Sequence, residues 1–333
     1  MSSSTPRIGI TMGDPGGIGP EVIVKAYPTL CDVARPVVIG DADVIRAAID
    51  VCDLTLSVEA ISAVADASFD SARIPVLDLD NVDDLVRGEV REANGAASLA
   101  YVERAIALAQ AGDIDAITTA PINKQATKLA GSDYAGHTGM LADYTDTENY
   151  SMMLVEDDLR VTHVSTHVPL REACERVTTE RVLDVIRLTD DALADLGVAS
   201  PTVGVAGLNP HASDGGLLGD AEDAEIVPAV ERARDEGIDA VGPESPDTVY
   251  VRAARGEFDC VVSMYHDQGH IPIKMLGFAG DAAVSGVNVT IGLPILRTSV
   301  DHGTAFDIAG EGVASEQSLV DAVEVAVQMA SRC

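Results

Sequence analysis

The stretch RIGITMGDPGGIGPE (residues 7–21) holds the pattern from which the fold is predicted. A short apolar run ends in a glycine-rich turn, and a helix is expected to begin near Pro20, because proline is tolerated in the first helical turn. The turn lacks the spacing GxGxxG, and the chain holds no GxxxxGK followed by Ser or Thr, so neither a standard dinucleotide fingerprint nor a P-loop is indicated. Its glycines would let the backbone approach a ligand, but a plain strand-to-helix turn explains them equally well.

The same alternation of strands and helices continues along the chain. Compact runs rich in Val and Ile predict buried strands: RIGITM, RPVVIG, RIPVLDL, DIDAITTA, PTVGVAGL, FDCVVSMY and VNVTIGLPIL. Helices are predicted at NGAASLAYVERAIALAQAG, with Asn94 as N-cap and Gly112 as its stop, at TERVLDVIRLTDDALADLG and at DAEIVPAVERARDEG. This alternation predicts an α/β fold, in which loops at the carboxyl ends of strands form the binding crevice.

Length and charge restrict the class of protein. A chain of 333 residues is long for one core, so we expect two lobes, with residues 1–132 plus 300–333 in the first and 133–299 in the second. The 54 acidic residues outnumber 22 basic ones, for a formal charge of −32. This balance argues against binding to nucleic acid or anionic membrane, and it is typical of a halophilic cytosolic protein.

Two further features favour a cytoplasmic location. The five cysteines are widely spaced, without a CxxC pair, which indicates a reducing compartment. No segment approaches the ~20 apolar residues that are needed to span a bilayer. We therefore expect a cytoplasmic protein without a membrane span.

Histidines lie in four loops, mostly just after predicted strands. They are His137 in AGHTGM, His167 in THVPLRE, His211 in GLNPHASDGG and His266 in MYHDQGH. The long intervals between them give no metal-ligand spacing, but side chains at strand ends can converge across one crevice. His163 differs, because it lies inside the apolar run VTHVSTHV, and we predict a structural role for it.

Two cations also lie in candidate loops. Arg297 belongs to LPILRTSVDHGTAFDIAGEG, where a guanidinium could bind phosphate or carboxylate, although a surface ion pair is a serious alternative in so acidic a chain. Lys274 is one of only four lysines, so it is favoured as a substrate contact over a solubilising residue.

Taken together, these loops resemble the 4-hydroxythreonine-4-phosphate dehydrogenase family of vitamin B6 biosynthesis. The matching motifs cover nearly the whole chain in order: ITMGDPGGIGPE, TTAPINK, GHTGML, THVPLRE, GLNPHA, YHDQG and NVTIGLPILRTSVDHGTAFDIAG. The resemblance implies two α/β/α lobes with a central cleft, as in isocitrate and isopropylmalate dehydrogenases. It also implies a homodimer whose active sites draw on both subunits.

Residue roles follow from the resemblance by motif position. The implied ligands of one divalent metal are His167, His211 and His266. The implied substrate contacts are His137, Thr138, Lys274, Asn288 and Arg297, with Lys274 and His137 also catalytic. The implied NAD contacts are Asn209, Gly303, Thr304 and Asp307. Imidazoles suit zinc, cobalt or nickel, while manganese or magnesium stays open, as does NADP, because no residue diagnostic for the ribose is found.

The resemblance implies that NAD takes hydride from C3 of a 4-phosphorylated four-carbon hydroxy acid, after which the β-keto acid loses CO2. One branch of the family acts on 4-phospho-D-threonate or 4-phospho-D-erythronate and yields dihydroxyacetone phosphate. Its members often carry HDQGHIP, as this chain does with His270, so we expect that branch. A solvent-facing residue at the helix start is the plain alternative for His270.

Two other functions stay open as alternatives. One is the B6 enzyme itself, 4-hydroxythreonine-4-phosphate dehydrogenase. The other, from another class, is an acyltransferase of the phosphotransacetylase type, against which the three histidines argue.

The chain departs from the family pattern at two places. GLNPHAGEGG is replaced by GLNPHASDGG, with Ser213 and Asp214, which could change cofactor affinity. The segment MLGFAGDAAVSGV between Lys274 and Asn288 is about five residues longer than the pattern. The position of Asn288 is therefore taken from the register of VTIGLPILRTS.

Overall fold

The protein is described from a computed structural model, which covers residues 5–132, 134, 137–277 and 286–332. Its strands are β1 (Arg7–Thr11), β2 (Arg35–Gly40), β3 (Ser57–Ile61), β4 (Arg73–Asp78), β5 (Ala116–Thr119), β6 (Ser151–Glu156), β7 (Leu159–His163), β8 (Thr202–Ala206), β9 (Asp239–Glu244), β10 (Cys260–Ser263), β11 (Val287–Ile291) and β12 (Arg297–Val300). Its helices are α1 (Gly19–Val33), α2 (Ala42–Val51), α3 (Glu92–Ala111), α4 (Lys124–Leu129), α5 (His137–Tyr144), α6 (Leu170–Glu175), α7 (Thr179–Asp195), α8 (Val227–Asp235), α9 (Val249–Ala253), α10 (His266–Gly277) and α11 (Gln317–Ala330). The predicted α/β class is confirmed.

The chain divides into two compact units. The first runs to residue 147 and takes in 293–331, and the second contains 148–292 with Arg332. The first boundary thus falls later than the 132/133 expected from the sequence, and the second falls earlier than 299/300.

The first unit contains a wholly parallel run of strands in the order β3-β4-β2-β1-β5-β12. Strands β1 and β5 are buried along almost their whole length, as expected for parallel strands covered on both faces. Helices α1, α2 and α11 pack together, and α3 packs on α4. The largest buried side chains of this core include Ile8, Tyr27 and Tyr101.

The second unit contains strands in the order β11-β6-β7-β10-β8-β9. Strand β6 runs antiparallel to both β11 and β7, whereas β7, β10, β8 and β9 run parallel to one another. The core here includes Val161, Tyr250, Phe258 and Val261. Because β7, β10 and β8 are adjacent and parallel, the loops that follow them leave the sheet at one edge.

Several details of the predicted elements needed correction. The predicted strand VNVTIGLPIL ends at Ile291, since Gly292 turns the chain with a φ of 90°. Asn94 is wrong as an N-cap, because α3 begins at Glu92 and Asn94 is buried within its first turn. Gly112 is confirmed as the C-terminal stop, with a left-handed φ of 73°. Strands β3, β6, β7, β9 and β12 were not predicted as separate strands.

Within the ranges given above, no helix is both long and apolar enough to cross a membrane.

Candidate functional site

The site is built on the ends of three neighbouring strands in the second unit. His167 follows β7, His266 follows β10 at the first residue of α10, and His211 follows β8. We call these strand ends, with the loops that carry the three histidines, the histidine edge. The sequence predicted that loop histidines could converge here, and the order β7-β10-β8 supplies the physical reason for their proximity.

His167 and His266 lie together at this edge. Their ring centroids are 5.3 Å apart, and both side chains line a cavity of about 380 Å³. Two imidazoles bound to one ion at ~2.1 Å would have centroids about 5 Å apart. The Nδ1 atom of His266 is 2.7 Å from Asp267 Oδ1, so Nδ1 carries the hydrogen and donates it, which leaves the Nε2 lone pair available to a ligand.

His211 lies on a neighbouring part of the edge. Its side chain is 66% exposed, with Nδ1 3.9 Å from Asp247 Oδ2, and it lines a second cavity of about 270 Å³. Tyr265 lines both this cavity and the one beside His167 and His266. Among the residues described, no three His, Cys, Asp or Glu side chains are arranged to hold a metal ion. The structure thus brings two of the three predicted ligands together.

The loop that carries His211 has an unusual backbone. His211, Ala212, Ser213 and Asp214 all have φ between 49° and 64°, the left-handed region that non-glycine residues avoid. Each such residue costs about 1 kcal/mol or more, and strain of this kind concentrates at functional sites. Ser213 is buried, and its Oγ accepts from the Gly216 backbone N–H at 3.1 Å.

Two further histidines lie behind His266. His270 stacks on it at 3.6 Å between centroids with 13° between ring planes, so His270 is not a purely solvent-facing residue. His163 is fully buried, 4.9 Å from His270, and its Nδ1–H donates to the Met152 carbonyl oxygen at 3.2 Å. Burial, and then His270, lower the pKa of His163 to about 3. The predicted structural role of His163 is confirmed.

Helix α10 presents Lys274 on the same side as these rings. His266, His270 and Lys274 are spaced four residues apart, which places them along one face of a helix. Lys274 is half-buried there. Helix α10 therefore carries both a predicted metal ligand, His266, and a predicted substrate contact with positive charge, Lys274.

Gln268 was not identified from the sequence, although it lies inside the YHDQGH motif. Its Oε1 accepts from the Met264 backbone N–H at 2.7 Å, and its Nε2 donates to the Gly207 carbonyl oxygen at 2.7 Å. It is only 8% exposed and lines the His211 cavity. Gln268 therefore joins the strand end before His266 to the strand end before His211.

Asn209 and Asn288 make contacts within the second unit. The Glu222 carboxylate accepts from the Asn209 backbone N–H at 2.6 Å and from its Nδ2 at 2.9 Å, so the amide holds the loop that carries His211. Asn288 lies in β11, where Nδ2 is 3.0 Å from Met152 Sδ. The longer segment that precedes Asn288 lies mostly in residues 278–285, outside the described part of the chain.

The first unit holds the other predicted substrate contacts. Arg297 is buried, and its Nη2 donates to Thr119 Oγ1 at 2.6 Å, while burial lowers its pKa to about 9. His137 and Thr138 begin α5; Thr138 is half-buried, and the side chain of His137 lies outside the description.

The predicted NAD contacts of the first unit lie beside the opening glycine turn. The Ile18 backbone N–H donates to the Thr304 carbonyl oxygen at 3.0 Å, and a Cβ on Gly17 would lie 2.9 Å from Thr304 Cβ. Thr304 is buried by this contact, whereas Gly303 and Asp307 are exposed. The close approach explains why glycine occupies position 17.

Comparison with known proteins extends the likeness over the whole chain. The family model described as "Pyridoxal phosphate biosynthetic protein PdxA" matches residues 32–326. A D-threonate 4-phosphate dehydrogenase from Cupriavidus necator is 47% identical over 336 residues, which cover 100% of this chain and 99% of the relative.

Solved structures agree with this likeness. A 4-hydroxythreonine-4-phosphate dehydrogenase from Klebsiella pneumoniae is 42% identical, with a TM-score of 0.88 over 99% of this chain and 100% of its own. The corresponding structure from Burkholderia phymatum is 43% identical, with a TM-score of 0.85 over 98% of each chain. The fold is thus shared over almost the whole chain.

Proposed function

The chain belongs to the family of the pyridoxal phosphate biosynthetic protein PdxA, and we propose that it is an NAD-dependent, metal-assisted dehydrogenase of a 4-phosphorylated four-carbon hydroxy acid. The observation that carries this proposal is the proximity of His167 and His266 at the ends of adjacent parallel strands. The reaction would oxidise C3 and then release CO2 from the β-keto acid. A homodimer with shared active sites remains part of the proposal.

The favoured substrate is 4-phospho-D-threonate or 4-phospho-D-erythronate, which would give dihydroxyacetone phosphate. The name of the Cupriavidus necator relative, at 47% identity over its full length, supports this choice. The names of the two solved structures support the alternative, 4-hydroxythreonine-4-phosphate. Membership of the PdxA family removes the reason to keep an acyltransferase as a candidate.

The donor chemistry of the histidine edge fits a divalent metal in part. His167 and His266 have the ring spacing for it, Asp267 orients His266, and His211 would be the third ligand. A bound ion would polarise the C3 oxygen of the substrate, favouring its deprotonation and later stabilising negative charge on it. Neutral imidazoles make zinc, cobalt or nickel the best matches, with manganese or magnesium as weaker ones.

The protein's own residues would bind and orient the substrate. Lys274, on the same face of α10 as His266, would supply positive charge to the anionic substrate, an advantage in a chain with a formal charge of −32. Arg297 and His137 remain the proposed contacts for the phosphate, and Thr138 and Asn288 are further proposed substrate contacts. NAD would supply the hydride acceptor, with NADP as the alternative.

The test is a side-by-side assay of NADH formation in high salt with a divalent metal. The substrates are 4-phospho-D-threonate, 4-phospho-D-erythronate and 4-hydroxythreonine-4-phosphate, each with NAD and with NADP. We expect turnover with at least one of the two sugar acids, and faster than with the amino substrate. No reduced cofactor with any of the three would refute the dehydrogenase.

Metal binding is tested separately by titration with Co²⁺. Replacing His211 by alanine should weaken binding, because one of three imidazoles is lost. The matched control is His302→Ala, since His302 is an exposed histidine of the first unit. Equal cobalt affinity in His211→Ala and wild type would contradict the ligand role.

A further inference from the structure

We propose that Gln268 is a positioning residue, which holds the strand end that carries His211 at a set distance from the strand end that carries His266. The inference rests on the proposed function, because it assigns Gln268 a role in assembling the metal site. It starts from two hydrogen bonds of 2.7 Å made by one buried amide to two different backbone segments.

The two bonds require an amide at this position. Met264 offers a backbone N–H and needs an acceptor, whereas Gly207 offers a carbonyl and needs a donor. A carboxylate would satisfy Met264 but would place negative charge against the Gly207 oxygen, and a hydrocarbon would satisfy neither. Since Gln268 is 8% exposed, water replaces these partners poorly, and each unpaired backbone group costs about 1–3 kcal/mol.

The two hydrogen bonds of Gln268 affect the position of His211 more than that of His266. His266 begins α10 and is held by its own helix, by the stacked ring of His270 and by Asp267. His211 lies in the short left-handed turn Pro210–Asp214, outside any α-helix or strand, so its position depends on how the residues that lead into the turn are held. Among those residues, Gly207 is bonded to Gln268 and, through its N–H, to the Glu244 carbonyl oxygen of β9, while Asn209 is bonded to Glu222.

Loss of the Gln268 tie should therefore lower metal affinity through His211. Substitutions of groups that orient ligands typically reduce metal affinity by 10–100-fold. For Gln268→Leu we expect a loss of about 10–100-fold in Co²⁺ affinity, with a visible absorption spectrum that shifts towards that of His211→Ala. Gln268→Glu, which keeps the bond from Met264 but loses the bond to Gly207, should lose a similar amount, because Gly207 is on the His211 side. Gln317→Leu is the matched control, since Gln317 is an exposed amide at the start of α11.

The decisive measurement is the Co²⁺ affinity of Gln268→Leu in a protein that also carries His211→Ala. If Gln268 acts through His211, Gln268→Leu should change cobalt affinity by less than about threefold in a His211→Ala background. An equal loss in both backgrounds would mean general damage to the fold and would overturn the inference, as would unchanged affinity and spectrum of Gln268→Leu in the wild-type background.

Failure of the proposed function gives a different result. Wild-type protein that binds no Co²⁺ would overturn the metal site and the inference together. Wild-type protein that binds Co²⁺ while the double-variant comparison shows no coupling would overturn the inference alone. Circular dichroism of each variant, with thermal unfolding, establishes that the second unit is folded in every comparison.

Discussion

Replacing His163 by asparagine should remove a large part of the acid sensitivity of the second unit. His163 is fully buried and neutral, with one hydrogen bond from Nδ1 to the Met152 carbonyl oxygen and none to Nε2 within the described residues. An asparagine Nδ2 can occupy the place of Nδ1, so the variant keeps this bond and loses only the ionisable ring.

The magnitude follows from the two pKa values. The unfolded chain protonates His163 near pH 6.5, whereas the folded protein does so only near pH 3, since burial disfavours the charged ring. As the pH falls below 6.5, the unfolded state binds the proton first, so stability is lost between pH 6.5 and pH 3 at up to about 1.36 kcal/mol per pH unit. At pH 5 the loss due to His163 is about 2 kcal/mol.

The assay is denaturation by urea in 1 M KCl, where a Debye length of about 3 Å screens the exposed charges of this acidic chain, followed by circular dichroism at pH 7.5 and pH 5.0. Wild type should lose about 2 kcal/mol more than His163→Asn between these pH values. Any cavity in the variant lowers the free energy of unfolding equally at both pH values. Subtracting the variant's change between the two pH values from the wild-type change therefore gives the contribution of His163 protonation alone. All other ionisable groups are the same in the two proteins, so the pH dependence of the variant supplies the background slope. A double difference below about 0.5 kcal/mol would refute the reasoning.

Two further predictions concern backbone positions near the histidine edge. Gly269→Ala should lower the free energy of unfolding by about 1–3 kcal/mol, because its Cβ would lie 2.5 Å from Val161 Cγ1 and 2.7 Å from His163 Nε2; unchanged thermal unfolding would contradict this packing. Ala212→Gly should raise the same free energy by about 1 kcal/mol, since Ala212 has a φ of 50°. Ala107→Gly, at an exposed position in the interior of α3, is the matched control and should lower it by about 1 kcal/mol, so equal signs for the two variants would argue against the left-handed loop.

Local chemistry accounts for the part of this protein that was predictable from sequence. The seven compact runs predicted as strands each contain a buried strand, and a glycine after a helical pattern ends the helix, as Gly112 does. The sequence also predicted candidate site residues, because His167, His211 and His266 each follow an apolar run. Local signals were insufficient where polar and apolar residues mix, as at β3 and β9, which were missed.

The sequence by itself determined the α/β class, seven of the twelve strands in the described part of the chain, the longer helices α3 and α7, and the loops that carry the candidate chemistry. Tertiary structure decided that β7, β10 and β8 are neighbours, that His270 stacks on His266, and that Gln268 joins two strand ends distant in sequence. The reason is that strand order and side-chain contacts depend on packing between residues far apart in the chain, whereas propensity and periodicity report only on neighbours. One segment of sequence is enough to predict a histidine after a strand. Which other histidine lies beside it depends on the order of the strands in the folded sheet.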